Sequence, residues 1–406
     1  MKQPRISVLL AVLFVLNMAN VWGQDLKNQF NPIVTGVNSL NIAPDSRGGS
    51  LGDLGAATEP DVNSQYWNPA KYPFTISRAG LSVSYTPWLR KLVSDIDLAY
   101  VAGYVRLGDY QAISASLRYF SLGEVPVVQS ADDPGYSIHP YEMSVDVAYS
   151  RMLSESFSAA VALRYIYSDL AWKESEDVSP GSAFAADIAL YYNKYLMIGQ
   201  RECLFGLGLN LSNIGSKISY DGGNTSQFLP TNFRLGASLM IPIDEYNTIS
   251  FGADLNKLMV PTRPSIEQYA KTVGISVEEA NANISDYNSW IQSEGYNDIS
   301  PIKGIFKSWA DAPGGFKEEL QEIQVSVGAE YMYHNQFSVR AGYHHESQNK
   351  GNRKYFTVGA GFRMSVFSLD AAYLISTAQS NPLDQTLRFT LSFDLDGIRD
   401  LFGRRR

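Results

Sequence analysis

The residues that could do chemistry are few, and their surroundings decide against most of it. Gly48, Gly49, Ser50, Leu51 and Gly52 match the Gly-x-Ser-x-Gly pattern of a hydrolase nucleophile elbow, which needs a strand before the serine and a helix after it. The flanking residues predict neither, so this run is expected to be a flexible glycine turn. His344, His345 and Glu346 are metal-ligating types, yet adjacent strand residues point to opposite faces and cannot chelate one ion together. They are expected at a strand end on the outer rim. His139, beside Pro140, and His334, in a tight turn, read as ordinary polar positions. Cys203 is the one cysteine, which excludes an intrachain disulfide and a cysteine metal site. No glycine-rich phosphate loop follows a strand, and no serine, histidine and acid set stands out. The chain is expected to carry no catalytic, cofactor or metal site.

The elements that position these residues begin after an export signal. Lys2 and Arg5 precede an apolar run from Ile6 to Leu16, and Val21 and Gly23 are small enough for cleavage before Gln24; residues 1–23 read as a signal peptide. No cysteine follows to accept a lipid. Beyond Gly23 there is no run of about 18 uncharged apolar residues, which excludes a spanning helix and leaves a barrel open. The mean hydropathy of -0.15 fits a chain whose faces alternate. Without Lys2 and Arg5 the formal charge of -8 becomes -10, which argues against wrapping nucleic acid.

From Phe74 onward the pattern has period two, the signature of strands. Leu387, Phe389, Leu391, Phe393 and Leu395 alternate with Arg388, Thr390, Ser392 and Asp394; the run from Ile323 to Tyr331 behaves alike. About fourteen strands are read this way. Short connections near Gly108, Leu153 to Ser156, Lys194 to Arg201, Ile243 to Tyr246, His334 to Gln336 and Met364 to Ser365 alternate with long ones, as in outer-membrane barrels. An all-β, antiparallel transmembrane barrel over 74–395 follows, with both termini periplasmic. Tyr85, Trp88, Tyr167, Trp172 and Tyr333 would form its interfacial belts. Arg118, Asp146, Arg164, Asp187, Arg234, Asp254, Glu330, Arg340, Arg363, Asp370 and Arg388 would face inward, either paired around a plug or lining a wet channel.

Two segments break the period. Residues 24–73 are rich in Gly, Asn, Asp and Pro and are expected to fold back as a plug. Residues 259–321 form a long outer loop with helices at Ser265 to Thr272 and Val277 to Gln292, the second begun by Ser276 with Glu279 as a capping box. Residues 396–406, ending in three arginines, are expected to be a periplasmic tail.

Within the plug, Ala43, Pro44, Asp45, Ser46, Arg47, Gly48, Gly49 leads through Leu51, Gly52, Asp53 and Gly55 to Tyr66, Trp67, Asn68, Pro69, Ala70, Lys71, Tyr72. This resembles the PorV family of the type IX secretion system, whose members are FadL-like barrels, and Asn68, Pro69, Ala70 matches the hatch motif of FadL-type channels. The outer-loop run Asp311, Ala312, Pro313, Gly314, Gly315, Phe316 extends the resemblance. The resemblance implies an outer-membrane protein without cofactors that binds folded cargo bearing a C-terminal signal domain. Its implied partners are a SprA-like translocon barrel, the cargo itself, a PorU-like sortase attachment complex and outer-membrane lipid. Cargo recognition is expected on the outer loop at Trp290, Phe306, Trp309, Pro313, Gly314 and Gly315, unless those aromatics pack the loop on itself. The alternative function is a FadL-like transporter of hydrophobic small molecules; an envelope enzyme using Ser50 is a third reading.

Overall fold

The computed structural model describes residues 30–91, 93–127, 135–170, 179–222, 226–377 and 383–397. Residues 1–23 (the expected signal peptide), Trp172 and residues 398–406 of the expected tail lie outside them. Fourteen antiparallel strands close into one barrel. In chain order they are β1 (Ala79–Pro87), β2 (Asp97–Arg106), β3 (Gln111–Ser121), β4 (Tyr141–Ser154), β5 (Phe157–Asp169), β6 (Gly181–Ile198) and β7 (Arg201–Gly215). The second half comprises β8 (Asn232–Pro242), β9 (Asn247–Leu258), β10 (Gln324–Tyr333), β11 (Phe337–His345), β12 (Lys354–Arg363), β13 (Phe367–Ser376) and β14 (Leu387–Asp394). Each strand pairs with its sequence neighbour, and β14 closes on β1 with Gly80 opposite Asp394 and Tyr85 opposite Phe389. A two-stranded hairpin, Val125–Val127 with Tyr136–Ile138, rises from the loop between β3 and β4.

The sidedness of the alternation identifies the solvent. In β1 the exposed residues are Leu81, Val83 and Tyr85, whereas Ser82, Ser84 and Thr86 are buried. β14 repeats this, with Leu387, Phe389 and Leu391 exposed and Arg388, Thr390 and Ser392 buried. A water-soluble sandwich would bury the apolar set; a wall facing lipid exposes it. The described outer aromatics include a run of Tyr119, Tyr141 and Tyr167 across neighbouring strands at the long-loop end. Trp88 departs from the expected belt, because it packs against Ile96, Leu98 and Phe120 under its own loop.

Short and long connections alternate as expected, and both ends of the barrel segment fall on the short-turn side. One boundary differs. β6 and β7 continue through Ile198 and Arg201, so the turn is only Gly199 and Gln200. Tyr195, Leu196 and Ile198 favour the pleat, and Gly199 supplies the positive φ of 66° that so tight a turn needs.

The lumen is filled by residues 35–75, which form short helical turns rather than strands. They reach the wall because the wall lacks side chains where they touch it. Gly208 of β7 lies opposite Gly236 of β8, and Gly328 of β10 lies opposite Gly342 of β11. A Cβ on Gly208 would stand 1.9 Å from the Ala56 carbonyl oxygen, and one on Gly342 would stand 2.0 Å from the Leu51 carbonyl carbon. Glycine within a strand marks such close backbone approach.

Gly208→Val should therefore push the plug off β7. The expected cost is about 1–3 kcal/mol of overpacking, read as a lower temperature for the heat-induced gel-mobility shift of the detergent-solubilised barrel. Gly199→Asn at the exposed turn should leave that temperature unchanged.

Candidate functional site: the plug and the outer loop

Trp67 is the pivot of the plug. Its indole Nε1 donates to Asp45 Oδ1 at 2.6 Å, while Asp45 Oδ2 accepts the Gly48 amide at 2.9 Å and caps the helical turn Ser46–Ser50. Gly48 and Gly55 lie against the indole; a Cβ on either would come within 2.3 and 2.4 Å of its ring atoms. The Gly48 to Gly52 run is thus an ordered helical turn, not the flexible one expected. Close packing on Trp67 and the Asp45 cap replace the missing local propensity. Ser50 Oγ donates to the Arg47 carbonyl at 2.8 Å, at the end of a helix instead of between a strand and a helix start.

Asn68, Pro69 and Ala70 join the two arms of the plug to the wall. Asn68 Nδ2 donates to the carbonyls of Ala56 and Leu190, each at 2.9 Å, and Asn68 Oδ1 accepts the Ala70 amide at 3.0 Å. Pro69 opens the 3-10 turn Pro69–Phe74, where its missing N–H leaves nothing unsatisfied. Ala70 is buried among Ala160, Ala189 and Tyr191. Lys71 Nζ, fully buried, donates to the Gly55 carbonyl at 2.8 Å.

Inward strand charges hold this framework. Arg47 of the plug pairs with Glu330 of β10 at 3.2 Å and with Asp61 at 2.9 Å. Glu330 also pairs with Arg340, which reaches Asp370 at 2.6 Å. Asp53 pairs with Arg388, and Asp254 accepts the amides of Gly55 and Ala56 at 2.7 and 2.9 Å. Arg164 lies between Asp146 and Asp187 at 3.1 and 2.9 Å. Arg118 and Arg234 form no ion pair among the described residues; they flank the Tyr66 ring at 5.0 and 5.1 Å beside a polar cavity of about 50 Å³. Arg363 keeps the inward register and lines a cavity with Arg47, Asp61 and Arg340, but it is exposed because it sits at the short-turn end of β12.

His344 and His345 face opposite ways. His344 is buried with Nδ1 2.9 Å from Ser326 Oγ, His345 lies beside Tyr343, and Glu346 pairs with Arg353. His139 and His334 are exposed, the latter in the β10–β11 turn with a φ of 56°. Cys203 is a buried free thiol.

The loop between β9 and β10 begins with Ile266–Val273, capped by Ser265 Oγ, which accepts the Gln268 amide, and stopped by Gly274 at a φ of 81°. Ser276 caps the next helix as expected, but that helix ends at Ala282 and restarts as Ile284–Ser293. The break falls at Asn283, whose φ of -114° and ψ of 57° are not helical. These helices share a core of Tyr269, Ala270, Ala280, Tyr287 and Ile291. Trp290 joins it, 5.3 Å from Tyr269, so it is half-buried and not the exposed anchor expected. Phe306 and Trp309 are exposed. Pro313, Gly314 and Gly315 form a turn wrapped by acids: Glu319 accepts the amides of Asp311 and Ala312, and Glu318 accepts that of Gly314 at 2.6 Å.

Burial pushes the Asp311 carboxyl up to about 6, with Glu319 and Glu322 adding to the rise. A carboxyl raised in the docked loop binds more protons there than in the undocked one. Docking therefore weakens as pH rises from the ordinary carboxylate range to about 6, and levels off above it. Protection factors of the amides of residues 262–323, which correct for the intrinsic pH dependence of exchange, should be higher at pH 5 than at pH 7, and Asp311→Asn should abolish that difference in protection.

Arg47→Met leaves Asp61 and Glu330 short of a partner, at a cost of about 3–5 kcal/mol. The plug should then open transiently, seen in planar bilayers as conductance bursts that the parent protein lacks. Unchanged conductance would mean that the ion pair does not hold the plug.

The chain matches the model of the type IX secretion system protein PorV over residues 24–265. None of the curated proteins compared matches it. Among solved structures it is similar to the toluene transporter TodX of Pseudomonas putida, with 11% identity, 90% of this chain and 99% of that one covered, and a TM-score of 0.46. A Pseudomonas aeruginosa FadL homologue gives 11% identity, 90% and 99% coverage and 0.44; the Ralstonia pickettii toluene transporter TbuX gives 11%, 87% and 96%, and 0.43. The family match, spanning more than half of the chain, together with the closed fourteen-strand barrel, makes this protein an outer-membrane member of the PorV family of the type IX secretion system.

Proposed function

We propose that this protein collects folded cargo bearing a C-terminal signal domain at a SprA-like translocon barrel and delivers it to a PorU-like sortase attachment complex at the cell surface. The observation that carries the reading is the plug. A lumen occupied by residues 35–75 and crossed by Arg47–Glu330 and Arg388–Asp53 has no bore for a folded domain, so contact with cargo falls to the outer loops. With the long connections taken as extracellular, the helices from Ile266 to Ser293 stand on that side as a small folded platform with its own core. Val273, Val277 and Ile284 are its exposed apolar residues; Trp290 supports it from inside.

Transport of hydrophobic small molecules is the less favoured reading. A cavity of about 250 Å³ at the short-turn end is lined by apolar residues such as Val62, Ile76, Phe337 and Phe362 as well as by Arg47, Asp61, Arg340 and Asp370, but the plug fills the lumen beyond it and leaves no open path for a solute to the long-loop end among the described residues.

Replacing Val273, Val277 and Ile284 together by Ser should lower the release of a reporter fused to a C-terminal signal domain by about tenfold, equivalent to ~1.4 kcal/mol of lost binding. Barrel abundance in the outer membrane should stay the same. Normal export by this variant would remove the platform from the mechanism, and normal export by a strain lacking the protein would remove the function.

A further inference from the structure

The second half of the outer loop lies against the outside of the barrel wall. Asn232 and Arg234 of β8 are buried in the lumen, so Phe233 between them faces outward. Its cross-strand partner on β9 is Lys257, which shares that outward face. The Trp309 ring packs edge-to-face on Phe233 at 5.7 Å. Lys257 Nζ donates to Glu319 at 3.0 Å and also to Glu322, and lies 5.7 Å from the Trp309 ring. A lysine on a lipid-facing wall is thereby neutralised and covered by residues 309–322.

The next outward pair toward the membrane centre is Leu235 opposite Leu255, exposed at 40% and 43% as part of the lipid-facing wall. Two residues further along a strand amount to about 7 Å, or about 5 Å of depth at a tilt of about 40°. Trp309 thus stands about 5 Å nearer the long-loop end than an exposed leucine pair of the lipid-facing wall, and tryptophan is enriched where hydrocarbon meets headgroups. Ile302 and Phe306 precede it at intervals of four and three residues along the helix Pro301–Lys307 and its continuation, and the three are 65%, 74% and 46% exposed. Phe316 and Leu320 make a second exposed apolar pair on Phe316–Gln321. Lys303, Lys307 and Lys317 are exposed beside these residues and form no ion pair among the described residues. An apolar stripe flanked by lysines and continuous with a lipid-facing wall is the pattern of a helix lying in a membrane interface.

We propose that Ile302, Phe306 and Trp309 seat this half of the loop in the outer leaflet beside β8 and β9, with Lys303, Lys307 and Lys317 on the phosphate groups of anionic lipid. The loop then has two faces with different partners. The platform formed by Ile266–Ser293 stays in water, and the Phe306 stripe is held by lipid, which fixes how the platform is presented above the wall. This assignment rests on the barrel's outward face and does not depend on cargo binding.

The test uses the full chain with Cys203 replaced by Ser, carrying a nitroxide on Phe306→Cys or, as the aqueous reference, on Lys271→Cys in the platform. Each is reconstituted into vesicles of phosphatidylethanolamine with phosphatidylglycerol, and separately into phosphatidylcholine alone. Spin relaxation by oxygen is then compared with relaxation by a water-soluble nickel chelate. In the anionic vesicles the Phe306 label should favour oxygen severalfold and the Lys271 label should favour nickel. Replacing Lys303, Lys307 and Lys317 by Gln should pull the Phe306 label toward water in those vesicles, with a smaller change in phosphatidylcholine. Nickel accessibility at Phe306 equal to that at Lys271 overturns the proposal. So does a Phe306 label that is watery in lipid vesicles but shielded in native outer membranes, since a protein partner then covers the stripe. Heat-modified gel mobility reports independently whether each barrel is folded.

Discussion

The structure depends on the pairing of charge that a closed barrel turns inward. Alternation sends every second side chain into the lumen whatever its chemistry, and a buried ion without a partner is costly. Along β10 to β14 those side chains include Glu330, Arg340, Asp370 and Arg388, and the plug meets them with Arg47 and Asp53. Wall and plug are one electrostatic unit. Neither half has a complete set of partners without the other, which is why the lumen is filled and not left as a wet channel.

Charge supplies the energy of the plug, and glycine supplies its geometry. Gly208, Gly236, Gly328 and Gly342 strip side chains from the wall where the plug backbone passes, and Gly48 and Gly55 do the same around Trp67. The same closeness lets Asn68 and Asp254 Oδ2 bond directly to plug backbone groups. In the function proposed above, a lumen closed in this way transfers recognition to the rim. There the long loop is fastened by Lys257 and Lys350 to Glu318, Glu319 and Glu322, which separates a folded platform from a segment lying on the wall.

The amino-acid sequence alone determined the period-two strands, their number and the strict exchange of short and long connections, because these follow from backbone pleating and turn chemistry within a few residues. It also marked the plug and the loop, as the places where that period fails, and the motif residues Trp67 to Ala70. Ser276 was legible as a helix cap for the same local reason. Only the tertiary structure decided which charges meet. Arg47 and Glu330 are 283 residues apart, and their contact exists only after fourteen strands close in one register. The ordering of Gly48 to Gly52 against Trp67, the packing of Trp290 on Tyr269 and the position of Trp309 outside the wall are likewise set by neighbours further along the chain. Local pattern specifies which face a residue takes; closure and packing specify what that face finds there.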